Sequence, residues 1–178
     1  MTRKTDVFIP LSGRTKFANK KGADLFISIH CNAHTNRKIR GMEVYFLSHS
    51  RTTWERAVAM RENASIRFEK KDTSLAKLSQ VELILADMAQ NYFLKESSRL
   101  AELIVTNGVK TTGLKNKGPK QAGFYVLRNN YMPAVLIETA FISNPTEEKL
   151  LNDLSFRKKA IDGIYKGIIK FINEYEKE

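Results

Sequence analysis

The sequence is poor in cysteine, in long apolar runs and in acidic residues, and each shortage narrows the class of protein. Cys31 is the only cysteine, which rules out an internal disulfide and a cysteine-rich zinc site. No stretch approaches the roughly 18 uninterrupted apolar residues that a membrane span needs. The N-terminus, MTRKTDVFIP, has only a short apolar run before Pro10, so we expect no signal peptide in this chain.

Two common site motifs are also missing. The segment GRTKFANKKG, residues 13–22, has neither the spacing of a phosphate-binding loop nor a Ser or Thr after its lysine. No His-Glu-x-x-His helix occurs, because the other histidines, His34 and His49, lie in or beside expected loops. The sequence therefore gives no support for a nucleotide-binding loop or a helical metalloprotease site.

The few acidic residues leave the chain strongly basic. It contains 30 Lys and Arg against 19 Asp and Glu, a net charge of +11, and no acidic residue lies between Glu102 and Glu138. Such a charge favours an anionic partner, although a solvated basic face explains it equally well. Because no aromatic platforms or recognition-helix pattern accompany the basic residues, we expect no nucleic-acid partner.

Apolar residues follow patterns that predict strands alternating with helices. The length of 178 residues suits one domain, residues 1–178, with a single hydrophobic core. The expected strands are residues 25–30, 42–48, 124–128 and 134–141. A helical insertion covers about residues 51–105, the segment 107–118 is expected to be a loop, and a final helix carries an apolar stripe from Phe156 to Tyr175. This order predicts an α/β fold with a mixed, mostly parallel sheet flanked by helices.

One helix start has a local signature. In SNPTEEKLL, Asn144 can cap the helix, Pro145 takes the first helical position, and Glu147 stands three residues after the cap. This spacing is typical of a capping box, in which the glutamate bonds back to the cap residue.

Two polar residues stand where apolar strands end or are interrupted. His30 ends the strand in ADLFISIHCNA, and Glu138 interrupts AVLIETAF. Ligand sites of open α/β sheets lie outside the carboxyl ends of the strands, which suggests that both side chains serve one site. A hydrogen-bonded core histidine remains an alternative for His30. Cys31 should point away from His30 and is expected to pack.

Several segments together resemble a known family. TRKTDVFIPLSGRTKFANKKGADLFISIHCNA, GMEVYFLS and FYVLRNNYMPAVLIETAFISNPTEEKLL are similar to the zinc-dependent N-acetylmuramoyl-L-alanine amidases of the third amidase class, cell-separation type. The resemblance implies a hydrolase of peptidoglycan, in the periplasm or cell envelope, that cuts the amide between N-acetylmuramic acid and L-alanine of the stem peptide. It implies that His30 ligates zinc and that Glu138 is the catalytic carboxylate.

The chain also departs from the family pattern. The Gly-His-Gly segment and the helix glutamate that supply the other zinc ligands have no counterpart here, so we expect an N-terminally incomplete domain with an incomplete zinc site. His34 or Glu43 could in principle replace a ligand. The alternative function is a non-catalytic peptidoglycan-binding or regulatory remnant of the family.

The helical insertion resembles a regulatory element. In relatives of the cell-separation branch, a helix in this region can cover the active site until a partner protein moves it. The resemblance makes Glu62 and Glu69 candidates for a regulatory lid and implies an activator protein that acts on the insertion. A solvated amphipathic helix that packs on the sheet is the alternative.

Overall fold

The computed structural model describes residues 1–68, 88 and 91–176. It divides into two compact units, each assembled from separate stretches of chain. The first unit comprises Met1–Phe26, Leu47–Lys95 and Gln121–Ala134, and the second comprises Ile27–Phe46, Glu96–Lys120 and Val135–Glu178. The expectation of one domain over residues 1–178 stays a prediction.

The sheet has four strands in the order β1–β4–β2–β3. They are β1 (Phe26–Asn32), β2 (Met42–Leu47), β3 (Asn116–Ala122) and β4 (Ala134–Phe141). β2 and β4 are antiparallel. The N–H of Phe26 donates to Pro133 O and the N–H of Ile142 donates to Asn32 O. The start of β1 therefore lies beside the start of β4, and the two ends also lie together, so β1 and β4 are parallel. Equivalent bonds from Met42 to Lys115 and from Ser48 to Ala122 make β2 and β3 parallel. The mixed, mostly parallel sheet is confirmed.

The inner strands β2 and β4 are buried along their whole length. In the second unit the sheet is accompanied by α3 (Leu94–Thr112), α4 (Pro145–Asn152) and α5 (Leu154–Tyr175). The α5 stripe is buried at Phe156, Ala160, Ile164 and Phe171, whereas Tyr175 is exposed. Helices α3 and α5 approach backbone to backbone, because a Cβ added at Gly167 would lie 2.6 Å from Ile104 Cα.

The first unit contains α1 (Leu11–Lys20), α2 (Thr53–Asn63) and two short 3-10 helices, Ala64–Phe68 and Tyr125–Leu127. Helix α2 begins with a capping box: the Thr52 side chain accepts the Glu55 N–H, and Glu55 accepts the Thr52 N–H. Across the described ranges 1–68, 88 and 91–176, no helix is both long enough and apolar enough to cross a bilayer.

Two predicted elements are wrong. Residues 124–128 contain the 3-10 helix Tyr125–Leu127 rather than a strand. The segment 107–118, which was expected to be a loop, holds the end of α3 and the start of β3. β3 is an edge strand whose residues are exposed or half-buried, except Ala122. Edge strands tolerate lysine and proline, so NKGPKQA carries no apolar alternation that could identify it.

Candidate functional site

Two buried carboxyl groups face each other across the centre of the sheet. Glu138 of β4 pairs with Glu43 of β2 in the antiparallel register. Both side chains are 0% exposed. Like charges directly opposite on neighbouring strands are destabilising, so this arrangement requires compensating groups.

Donors from β1, β2 and β3 surround Glu43. Lys117 Nζ lies 3.2 Å from Glu43 Oε1, while Tyr45 Oη donates to Oε2 at 2.7 Å and Asn32 Nδ2 donates to the same oxygen at 3.0 Å. Lys117 also lies 5.1 Å from the centroid of the Phe141 ring. A charged carboxylate with this set of donors is held in place by them, so Glu43 serves the structure around Glu138.

His30 lies on β1, the strand next to β4. Its Nε2 atom is hydrogen-bonded to Ser28 Oγ at 2.9 Å, and both residues are half-buried. Ile29 and Cys31, which alternate with them along the strand, are exposed. The structure therefore places His30 and Glu138 on adjacent parallel strands, toward the carboxyl ends of both.

Cys31 connects the end of β1 electrostatically with Glu138. Partial burial of its sulfur and, secondly, the negative charge of Glu138 raise the pKa of the Cys31 thiol. Such an influence requires the Glu138 carboxylate to be near the end of β1. The expectation that Cys31 packs is wrong, because the residue is exposed on an edge strand.

A third buried carboxylate belongs to α4. Glu147 is 1% exposed; its Oε1 accepts the Gly41 N–H at 2.7 Å and its Oε2 accepts the Phe141 N–H at 2.7 Å. Burial raises the pKa of Glu147, while these two N–H groups and the charges of Arg40 and Lys117 act in the opposite direction. Glu147 thus ties the start of β2 to the end of β4, because Gly41 stands shortly before Glu43 and Phe141 shortly after Glu138 in the sequence.

The helix start before Glu147 follows the predicted cap only in part. The Asn144 side chain accepts the N–H groups of Thr146 and Glu147, and Pro145 takes the first helical position. The capping-box role of Glu147 is wrong, because its two oxygens accept the N–H groups of Gly41, just before β2, and of Phe141, at the end of β4.

The proposed replacement ligands are engaged elsewhere. His34 Nδ1 accepts the Asn36 N–H at 2.8 Å, and the His34 N–H donates to Ser143 Oγ at 2.9 Å. Glu43 is held by the donors described above. Within residues 1–68, 88 and 91–176, no group of three or more His, Cys, Asp or Glu side chains is arranged to hold a metal ion.

The two lid candidates are placed differently. Glu62 is half-buried on α2, which belongs to the first unit, whereas His30 and Glu138 belong to the second. Glu69 lies outside the described residues. The lid stays a prediction.

Sequence reasoning missed Lys117 and the binding role of Glu147. Tyr45 had a usable signal, since it stands two residues after Glu43 and therefore on the same face of β2. Lys117 had none, because its strand was expected to be a loop.

Comparison with known proteins gives a consistent result. A family model described as N-acetylmuramoyl-L-alanine amidase matches residues 1–170. The N-acetylmuramoyl-L-alanine amidase AmiA of Escherichia coli is 36% identical over 181 residues, covering 100% of this chain and 62% of the relative. AmiC of Neisseria meningitidis is 36% identical and covers 97% of this chain and 42% of the relative. The chain thus spans less than two thirds of the length of these relatives.

Solved structures agree on the fold. The N-acetylmuramoyl-L-alanine amidase of Clostridium difficile 630 has a TM-score of 0.67 at 23% identity, covering 96% of this chain and 69% of that one. AmiC2 of Nostoc punctiforme has a TM-score of 0.65 at 25% identity, covering 97% and 71%. The CwlD amidase from Clostridioides difficile, solved in complex with the GerS lipoprotein, has a TM-score of 0.67 at 23% identity and covers 97% and 74%. With the family match over residues 1–170, the chain belongs to the N-acetylmuramoyl-L-alanine amidase family, whose members are hydrolases.

Proposed function

We propose that this protein is a peptidoglycan amidase of the bacterial envelope that cleaves the amide between N-acetylmuramic acid and L-alanine, with Glu138 as the acid/base. The carrying observation is the complete burial of Glu138 on an inner strand opposite Glu43. Of this pair, Glu43 is held by Lys117, Tyr45 and Asn32. Burying a second carboxyl group beside it is costly, which supports a chemical role for Glu138.

The proposed step needs one proton carrier. Water adds its oxygen to the carbonyl carbon, the C–N bond breaks, and the leaving amine nitrogen takes a proton. Glu138 accepts the proton from the water and returns it to the nitrogen, the usual task of a carboxylate acid/base. A group that does this contributes about 10²- to 10⁴-fold to the rate.

His30 is proposed as one ligand of zinc, the metal of the family that the chain resembles. A catalytic zinc takes three protein ligands, and the described residues do not fit that requirement because they contain no group of three donors arranged for a metal. We therefore expect the chain by itself to bind zinc weakly and to release stem peptides slowly.

One experiment tests these statements together. Purified chain and its Glu138→Gln variant are dialysed against zinc, analysed for bound metal, and incubated with peptidoglycan sacculi while released stem peptides are measured. We expect less than one zinc per chain and a slow release that Glu138→Gln abolishes. The control is Glu148→Gln, the same change at an exposed position, which should retain the release. Stoichiometric zinc with rapid release refutes the weak-binding expectation, and unchanged release by Glu138→Gln refutes its catalytic role.

A non-catalytic peptidoglycan-binding remnant is the second candidate function. The shortage of metal donors among the described residues favours it. It predicts that the chain and its Glu138→Gln variant sediment equally with sacculi and that neither releases peptides at any zinc concentration. Release that depends on Glu138 excludes it.

The insertion is proposed as a lid that an activator protein displaces. One relative in fold was solved in complex with a lipoprotein, which supports a protein partner for this chain as well. Deleting residues 51–105 would remove Leu100 and Ile104, which are fully buried, so a substitution is the cleaner test. Glu62→Ala should raise peptide release, and unchanged or lower release counts against a plug at this position.

A further inference from the structure

A polar pocket of about 650 Å³ lies within the first unit. Its volume falls in the range of ligand sites, roughly 300–1,000 Å³. Neither His30 nor Glu138 lines it, so the proposed chemistry leaves it unexplained. Among residues 1–68, 88 and 91–176, the lining residues are Leu47, Ser48, His49, Ser50, Arg56, Asn91, Leu94, Gly123, Tyr125, Arg128 and Asn129.

The described residues of this lining carry charge of one sign. Arg56 and Arg128 contribute two guanidinium groups, and none of the described lining residues is acidic. Arg128 lies 5.9 Å from the centroid of the Tyr125 ring. Neither arginine forms an ion pair with a carboxylate of the described residues. Two arginines gathered at one concave site, with no acidic partner among the described residues, favour an anionic ligand.

The wall that carries Arg128 is fixed by side-chain amides. Asn63 Nδ2 donates to Gly123 O at 2.9 Å, and Asn63 Oδ1 accepts the Tyr125 N–H at 2.8 Å. After Arg128, Asn129 adopts a left-handed conformation with φ 57°, and its carbonyl accepts a hydrogen bond from Asn19 Nδ2 at 2.7 Å. Both sides of Arg128 are therefore anchored, which lowers the ordering cost of binding a ligand.

The lining residues after β2 and on α2 have similar support. Gln121 Nε2 donates to His49 O at 2.6 Å, which holds the segment after β2. Arg56 lies in the second turn of α2, whose start is fixed by the Thr52–Glu55 capping box. The two guanidinium groups thus project from backbone segments that are hydrogen-bonded in place.

We propose that this pocket binds a carboxylate of an acidic peptide, with Arg56 and Arg128 as the charged contacts. Guanidinium groups match the planar carboxylate and bind it through paired hydrogen bonds. The hydroxyl and amide groups of Ser48, Ser50 and Asn129 suit the neutral peptide groups beside it. The choice of a peptide as ligand rests on the proposed function, because stem peptides carry carboxylates. The assignment of an anion site does not depend on that function.

Binding can be measured without hydrolysis. The full chain is titrated calorimetrically with the acidic dipeptide L-alanyl-glutamate, with neutral L-alanyl-glutamine amide, and with inorganic phosphate. We expect the acidic dipeptide to bind most tightly and its affinity to fall with added salt. Arg56→Gln and Arg128→Gln should each weaken it about fivefold or more, as expected for charge-assisted contacts on a partly solvated site. Arg157→Gln, an exposed arginine of α5 in the second unit, is the matched control and should change nothing.

The outcomes separate the two proposals. The pocket assignment is overturned if the acidic and neutral dipeptides bind with equal affinity, or if phosphate binds more tightly than the acidic dipeptide. It is also overturned if Arg157→Gln weakens binding as much as Arg56→Gln and Arg128→Gln do. Far-ultraviolet circular dichroism confirms that each variant is folded before titration. A chain that is inactive on sacculi yet binds the acidic dipeptide through Arg56 and Arg128 keeps the pocket and refutes only the catalytic proposal.

Discussion

Glu147 provides the sharpest test of how the buried carboxylates hold the second unit together. Its two oxygens each accept one backbone N–H at 2.7 Å, from Gly41 and from Phe141. The isosteric change Glu147→Gln keeps one acceptor oxygen and replaces the other with an NH₂ group. One of the two backbone N–H groups then faces another donor inside a site that is 1% exposed.

The magnitude follows from that lost bond. A buried donor without an acceptor costs about 1–3 kcal/mol, so we expect Glu147→Gln to lower the free energy of unfolding by about 2 kcal/mol. Glu148→Gln is the matched control, because it removes the same charge from the same first turn of α4 at an exposed position. The control should stay within about 0.5 kcal/mol of wild type. Urea unfolding followed by circular dichroism measures both differences.

The same pair of variants has a defined pH dependence. Because burial raises the pKa of Glu147 above its ordinary value of 4.5, the folded state binds this proton more tightly than the unfolded chain does. The wild type therefore gains stability from this group as the pH falls through the folded-state pKa toward 4.5, and the gain is lost as the pH rises. Glu147→Gln lacks the gain, so its deficit in the free energy of unfolding should widen as the pH falls from neutral toward 4.5. Equal stability of the two variants, or a deficit that narrows over this range, refutes the reasoning.

Two further predictions concern packing and charge in the second unit. Gly167→Ala places a Cβ 2.6 Å from Ile104 Cα and should lower the free energy of unfolding by about 1–3 kcal/mol, measured by urea unfolding. Gly13→Ala is the control within a helix, because its added Cβ would have its nearest contact at 3.4 Å. Similar losses of stability for both variants would contradict close packing of α3 against α5. Lys117→Met removes the cation at 3.2 Å from buried Glu43 and should cost about 3 kcal/mol at pH 7, measured by urea unfolding. If the double variant Lys117→Met, Glu43→Gln is no more stable than Lys117→Met alone, loss of the ion pair is not the cause of the lowered stability.

Local signals in the sequence predicted the elements that local forces create. The Asn144 cap and Pro145 depend only on neighbouring residues, and the structure shows both. The run AVLIETAF predicted an inner strand because burial on two faces removes alternation. Strand β3 depends instead on pairing with β2, which lies about 70 residues earlier in the chain. Its polar sequence NKGPKQA contains no trace of that partner.

The polar centre of the sheet is the clearest case in which a site depends on such distant pairing. Glu43 and Tyr45 share a face of β2 by simple alternation, but the cation that balances Glu43 comes from β3, and Asn32 comes from β1. With Glu138 directly opposite, two carboxylates without these donors would repel each other in a buried site. Placing cation, hydroxyl and amide all on Glu43 gives the two carboxyl groups different surroundings, and different surroundings are what allow paired carboxyl groups to take different roles. The division of labour proposed here, with Glu43 structural and Glu138 chemical, thus depends on an edge strand that no local pattern reveals.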